Sequence, residues 1–570
     1  MEKRWVYKAT PDQETVSNLA TSLLISETLA TVLCQRGVCT FAEAKAFFRP
    51  SLEDLHDPFL IRDMDKAVDR LNEAVHRGEK VLIYGDYDVD GTTSVALVYS
   101  YLRDYIKDID IYIPNRDLEG YGISVQGVDW AAEHEFTLII SLDCGIKSME
   151  KVAYAKSKGL DFIICDHHLP DTTIPDAVAV LDPKRLDCPY PYKELSGCGV
   201  GFKLMQGFCL QNDLDPASLF ALLDLVVVSI AADIVPITGE NRIFAYFGLR
   251  QLNGGASLRP GLAALRDLAG LREELLDINS IVFGFAPRIN AAGRMGDAKR
   301  SVHMLLAPTK EEAFAKADII DKTNQERRGH DTSITKEALL MIEQDEVLRS
   351  SCSTVLFKET WHKGVVGIVA SRCIEKYYRP TIILTQSNGK ASGSARSVHG
   401  FDVHSAIVAC SDLLEQFGGH MYAAGLTLPV ENIPAFRERF EQVVSSTITA
   451  EQLIPQIEID APIRLKQITP NFLKIIKQME PFGPGNMGPV FVAECVYDTG
   501  SCRVVGDTHL KLQIMQEDSH PIEAIAFGMA DYYSRILKGI PFDVCFCVEE
   551  NVYRGITTLQ LRIKDIRFAE

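Results

Sequence analysis

The chain has 570 residues, enough at roughly 100–200 residues per domain for three or four domains. Hydrophobic residues make up 46% and charged residues 24%, ordinary globular proportions that exclude a mostly disordered, collagen-like or small disulfide-stapled protein. The net charge of −18, from 77 acidic against 59 basic residues, argues against a general polyanion coat. It leaves room for an enzyme whose carboxylates hold cations and whose few basic residues line one groove.

Residues 1–75 read as a mostly helical, polar segment without a signal-peptide core. The span 76–250 changes character. VLIYGD (81–86), FTLIISLD (136–143), DFIICD (161–166), AVAVLD (177–182) and LVVVSIAAD (225–233) are short, β-branched apolar runs, and each ends in aspartate. Their spacing predicts a βαβ series around a buried parallel sheet, whose C-terminal strand ends form a ligand crevice. Five strands would deliver carboxylates to one edge.

The most apolar segment, Phe220–Val235, is interrupted by Asp224 and Asp233, so no membrane span is expected, and the protein is expected to be soluble and cytoplasmic. Residues 251–350 read as helical, ending in a charged connector over about Lys310–Leu348 that can bridge two lobes. Residues 351–450 form a second, smaller α/β module starting at STVLF (353–357) and rich in glycine. From 456 to 570, five alternating runs predict a small β-barrel. The 14 cysteines contain no CxxC pair and read as buried, reduced thiols rather than a zinc site.

Asp86, Asp88 and Asp90 follow the first strand as DYDVDG. Carboxylates at every second position converge only if something offsets their repulsion, and divalent cations do so. An EF-hand would need Glu at the twelfth position, where Leu97 stands, and a preceding helix. A haloacid-dehalogenase-like phosphatase would use Asp88, Asp90, Gly91 and Thr92, leaving Asp86 unexplained. A solvated acidic turn would leave the other strand-end aspartates without a role. The triplet Asp166-His167-His168 after the third strand decides among these.

Together these residues resemble the DHH phosphoesterase family, and within it the branch of single-strand-specific exonucleases. The resemblance runs from about residue 50 onward. It rests on IYGDYDVDG, IPNRDLEGYG (113–122), SLDCGI (141–146), CDHH, ELSGCGVGFKL (194–204), SIAADIVP (229–236), APRINAAGRMGDA (286–298), GSARSVHGFDVH (393–404), FGGHMYAAG (417–425) and PFGPGN (481–486). One departure is Asp182 before Pro183, where the family is expected to favour Asn.

The resemblance implies an α/β fold: a parallel-sheet DHH catalytic domain, a second smaller α/β domain joined by a long helix, and a C-terminal OB-like β-barrel. It implies a 5′→3′ exonuclease on single-stranded DNA acting in recombination and repair. Two cations would serve it, Mg²⁺ or Mn²⁺, with an imidazole ligand tilting the preference towards Mn²⁺. Asp86 and Asp88 are assigned to one ion, Asp90, His167 and Asp233 to the other, and Asp143 bridges them.

Asp166 is read as a carboxylate that orients an imidazole, and His168 as a contact to the scissile phosphate or an aid to proton transfer. Arg116, Tyr121, Arg288 and Arg294 are expected in loops near the crevice. Ser394 and Arg396 are expected on a glycine-flanked loop that holds a terminal phosphate, with His420 on a second close-approach loop. The expected partners are single-stranded DNA, a single-strand-binding protein and a RecQ-type helicase, with the chain a monomer. Two competing readings are a phosphodiesterase for short oligoribonucleotides or cyclic dinucleotides and a non-catalytic DHH scaffold. The third, barrel domain separates this chain from the former, and its full set of ligand residues separates it from the latter.

Overall fold

The structure is a computed structural model describing residues 2–568 apart from 117, 256, 257 and 554. After an N-terminal strand β1 (Arg4–Tyr7), the catalytic sheet is built from β2 (Val81–Gly85), β3 (Ile109–Tyr112), β4 (Leu138–Leu142), β5 (Asp161–Cys165) and β6 (Ala179–Leu181). All four pairings are parallel, in the order β3-β2-β4-β5-β6. Every residue of β2 and β4 is buried, which is why these strands are continuous apolar runs rather than alternating ones.

The run 225–233 is not a strand. It lies in the helix Leu223–Ala232, buried along nearly its whole length and packed on the helices Val89–Leu102 and Gly239–Leu252. A fully buried helix and a fully buried strand carry the same unbroken apolar signature, so periodicity does not separate them. Four strand ends and one helix end therefore present aspartates to the crevice. The short strand β3, half of it partly exposed, has too weak a pattern to be anticipated.

The helix Lys310–Gln344 joins the lobes. Thr309 caps it by accepting from the Glu312 amide, and Glu311 and Glu312 occupy its first turn, where the helix dipole favours anions. Ala313, Ala317 and Ile320 belong to the catalytic core, whereas Ile334, Ala338 and Ile342 pack on the second lobe. That lobe carries β7 (Thr354–Phe357), β8 (Thr381–Ser387), β9 (Lys390–Arg396), β10 (Gln416–His420) and β11 (Ala423–Leu428), ordered β10-β11-β9-β8-β7.

The glycine-rich segment around Ser394 and Arg396 is thus the central strand β9, not a loop. Its backbone is committed to β8 and β11 on either side. Gly393 is needed there because a Cβ would lie 2.1 Å from the Ile383 carbonyl oxygen. Gly418, Gly419 and His420 likewise form an edge strand rather than a loop.

The C-terminal module contains β12 (Gln456–Ile459), β13 (Ala461–Pro462), β14 (Phe491–Asp498), β15 (Arg503–Val505), β16 (His509–Met515), β17 (Ile522–Ala526), β18 (Phe542–Tyr553) and β19 (Ile556–Phe568). The last seven form one sheet, β13-β14-β18-β19-β17-β16-β15, which a β14–β16 pairing curls towards closure. β16 alternates buried and half-buried residues, as a barrel wall facing core and solvent requires.

The N-terminal segment divides between lobes. Helix Met64–Arg77 packs in the catalytic core, whereas Val16–Ala44 shares one core with the barrel, and β1 pairs with β12. Among the described residues no single helix is long and apolar enough to cross a membrane.

Candidate metal centre and nucleic-acid cleft

The carboxylates meet at the C-terminal edge of the catalytic sheet. Asp86 follows β2 and is fully buried, and among the described residues neither of its oxygens has a hydrogen-bond partner of good geometry, the Tyr87 and Gly122 amides being near but poorly aligned. Asp88 caps the next helix by accepting from the Gly91 amide at 3.1 Å. Asp90, two residues on, accepts from the amides of Gly197 (2.7 Å) and Cys198 (2.8 Å) and from the Ser229 hydroxyl (2.7 Å). The ELSGCGVG segment therefore offers a helix N-terminus to Asp90 and fixes its direction.

Asp143 follows β4 in a left-handed conformation (φ 59°), a strained geometry for a residue with a side chain. Gly197 lets it approach, since a Cβ there would stand 2.6 Å from that of Asp143.

His167 is buried, and neither ring nitrogen has a hydrogen-bond partner among the described residues. Its Nε2 lies 3.1 Å from Asp143, 3.6 Å from Asp233 and 3.7 Å from Asp90. Ligand atoms of Asp86, Asp88 and Asp143 fall within 4.8 Å of one another, as do those of Asp90, His167 and Asp233. Burial, then the neighbouring Asp88, pushes Asp86 well above the usual carboxylate range, and burial with Asp90 does the same for Asp143. Burial and Asp90 raise Asp233 to about 8, and burial lowers His167.

Carboxylates crowded around one imidazole, with both Asp86 oxygens and Asp143 Oδ1 buried and without a partner among the described residues, are chemically matched to hard divalent cations. The residues fit such ions. Asp166 stands apart from the group: its Oδ1 accepts from the His167 and His168 amides and from His168 Nδ1 at 2.7 Å, and Oδ2 from the Ile146 amide. Burial opposes its charge, but these bonds and the His168 charge hold Asp166 below the usual range. Burial likewise opposes the His168 charge, yet the bond to Asp166 raises that imidazole to about 9. The other nitrogen, Nε2, lies 3.3 Å from the Tyr121 hydroxyl at the cleft face.

Beyond Asp86 and Asp88 stands a cluster of arginines. Arg116 covers the Tyr87 ring at 5.4 Å. Arg294 is pushed down to about 10 by burial and then by Arg116, Arg327 and Arg396, while Asp88 opposes the shift. Arg396 donates to the Ser394 hydroxyl (2.6 Å) and the Ala395 carbonyl (2.8 Å). Like charges gathered at one point repel one another, and an anion seated among them would relieve that repulsion.

Arg288 does not belong to this cluster. Its guanidinium is spent on Asp321 and on the carbonyls of Gly284 and Leu268, so it is an internal strut rather than a nucleic-acid contact. His420 faces the opposite end, where Lys147, His168 and Lys184 hold its pKa down after burial.

Two contributors were missed in the sequence. Arg327, on the connector helix, is buried beside Arg294. Lys184 lines a recess of about 540 Å³ with Leu169, Leu186 and Lys193, and its charge reaches Asp233 and His167. Nothing local marks either residue. A lysine after a strand-end Asp-Pro and an arginine in a charged helix look like surface residues until the lobes are assembled.

A parallel sheet whose ends gather this Asp/His set, faced by a second α/β lobe with an arginine pocket, defines a metal-dependent phosphoesterase of the DHH class. Comparison with known proteins gives the particular family. The DHH family N-terminal domain matches residues 80–230, the DHHA1 domain 349–446 and the RecJ OB domain 459–565.

The single-stranded-DNA-specific exonuclease RecJ of Bacillus subtilis is 36% identical over 570 residues, covering 100% of this chain and 71% of that protein. RecJ of Escherichia coli is 32% identical over 523 residues, covering 88% and 90%. The crystal structure of RecJ with Mn²⁺ from Thermus thermophilus matches with a TM-score of 0.85 at 25% identity, covering 100% of this chain and 80% of that one. The chain belongs to the RecJ family of single-stranded-DNA-specific exonucleases.

Proposed function

We propose that the chain degrades single-stranded DNA from its 5′ end, with Asp86, Asp88 and Asp143 holding one divalent cation and Asp90, His167, Asp233 and the shared Asp143 holding a second. The observation that carries this reading is the placement of buried, unpartnered ligand atoms directly beside a buried arginine cluster. Such cations, when bound, acidify water and neutralise charge at the phosphate. The Mn²⁺-bound relative supports that choice of ion.

The arginine end, with Arg116, Arg294, Arg327, Ser394 and Arg396, takes the terminal 5′ phosphate, which carries more charge than an internal diester. Tyr121 and the Arg116–Tyr87 pair offer faces for the first nucleotide. His168, kept protonated by Asp166, holds a proton at Nε2 for a phosphate oxygen or the departing 3′ oxygen.

In this reading the enzyme works as a monomer on chromosomal DNA in the cytoplasm. A RecQ-type helicase would supply its unpaired strands, which a single-strand-binding protein would coat. The test uses purified protein, Mn²⁺ and oligonucleotides labelled at either end, single- and double-stranded. Mononucleotides released first from the 5′ end of single strands support the reading. Release from the 3′ end, or equal attack on blunt duplex, overturns it.

A further inference from the structure

The turn that carries Asp233 is not self-supporting. Asp233 closes the helix Leu223–Ala232, and the next residue, Ile234, sits at φ 60° and is 64% exposed. A β-branched residue in the left-handed region is strained and persists only where its surroundings fix it. On its own lobe the turn is held by Asn241 and Tyr192, both bonded to the Pro236 carbonyl.

The rest of its support comes from the C-terminal module, through the PFGPGN segment. The Ile237 amide donates to the Pro484 carbonyl at 2.7 Å. A Cβ on Gly483 would stand 2.5 Å from Ile237 Cγ1, and one on Gly485 would stand 3.0 Å from Thr238 Cγ2. Gly485 also has φ +73°, a conformation that glycine supplies freely. The two glycines therefore let backbone mould against the Pro236–Thr238 turn.

This loop is itself locked from behind. Asn486, 1% exposed, donates to the Met479 and Pro481 carbonyls and accepts from Arg36. Arg242, 4% exposed, lies 3.8 Å over the Phe47 ring. Its guanidinium donates to the carbonyls of Phe47, Met479 and Glu480. Burying that charge among carbonyls is a large investment in one joint.

We infer that residues 483–486 are a positioning clamp for the metal ligand Asp233, so that the C-terminal module sets the competence of the metal centre as well as the reach along DNA. The inference rests on the reading of Asp233 as a ligand. A domain that only gripped DNA would act on long strands alone. A clamp acts on the centre whatever the length of the substrate.

The test is Gly485→Ala in the full chain, with Mn²⁺ binding measured by calorimetry and turnover measured on a 5′-phosphorylated trinucleotide and on a long strand. Loss of an outer support for a ligand typically weakens metal affinity or activity by about 10–100-fold. One of the two Mn²⁺ sites should weaken by that order, and kcat should fall on both substrates. Adding Ile234→Asn, which tolerates left-handed φ, should restore part of the affinity. Thr238→Ser, which removes only the methyl facing Gly485 and keeps the hydroxyl beside Tyr192, is the milder second variant, with several-fold weakening in the same direction expected should Gly485→Ala not fold.

Variants that bind both ions like the wild type, with only KM on long strands altered, would overturn the inference and leave the loop a docking joint. A wild-type chain that fails to bind two ions would instead overturn the reading of the metal centre.

Discussion

Replacing Arg396 by alanine tests the assignment of the 5′-phosphate pocket, and the size of the effect follows from how that guanidinium is used. Its Nη1 is occupied by the Ser394 hydroxyl and the Ala395 carbonyl, while Nη2 faces Gly367. One edge of the fork is therefore left for an anion. A charged hydrogen bond is worth about 1.5–3 kcal/mol, or about 10–150-fold.

Part of the attraction survives, because Arg116, Arg294 and Arg327 remain beside the emptied position. The expected result lies towards the lower end, about tenfold or somewhat more, in the ratio of kcat/KM for 5′-phosphorylated over 5′-hydroxyl single strands. Mn²⁺ affinity should be unchanged. Gly367→Ala gives an independent version: its methyl would stand 2.8 Å from Nη2 and 3.1 Å from the Ser394 hydroxyl, displacing both without removing either. If both variants keep the full wild-type preference for a 5′ phosphate, the pocket lies elsewhere and the reasoning fails.

Asp143→Ala should lower cleavage by roughly 10²-fold or more even in excess Mn²⁺, because one carboxylate serves both ion positions; near-normal turnover would refute the shared role. His168→Ala should bind Mn²⁺ normally and turn over slowly, and a loss of metal stoichiometry by calorimetry would make it a ligand instead. Blunt duplex should be cut poorly and a 5′ overhang should restore activity, since only an unpaired end reaches the buried arginines; equal rates on the two ends argue against this. Asp233 is raised from 3.8 to about 8 in the fold, so its contribution is present below the lower value and is lost as pH rises through the upper. Mn²⁺ should therefore raise Tm more near pH 8 than near pH 6, and equal gains in thermal unfolding would contradict that sign.

Much of the centre was legible in the sequence because strand ends in a parallel sheet share one edge. Asp86, Asp143 and Asp166 end buried apolar runs, and their convergence follows from the sheet alone. Asp233 was placed at the right edge through the wrong element, since its buried helix has no polar face to reveal a 3.6-residue period. Ser394 and Arg396 were expected on a loop because glycine punctuates turns. Here Gly393 is instead demanded by the close approach of β8, a contact that only the assembled sheet defines. Arg288 and Arg327 show the same boundary in reverse. One looked available and is spent on Asp321, while the other looked like a surface charge and is buried in the cleft. The split of residues 1–75 between two cores depends on contacts hundreds of residues away and leaves no local trace.

That split has a consequence for how the chain is made. The helices within residues 13–48 leave the ribosome long before the strands running to residue 566 that complete the apolar surface they bury. At about 5–20 residues per second, the remaining stretch of about 520 residues takes about 26–104 s to synthesise. Until residues 461–566 emerge, Leu29, Val32, Leu33 and their neighbours can pack only among their own helices, while the two middle lobes are free to fold. Nascent chains arrested before residue 460 should therefore show protected catalytic and second lobes beside a protease-sensitive, chaperone-bound N-terminus, and β1 should lock onto β12 only as the last act of assembly.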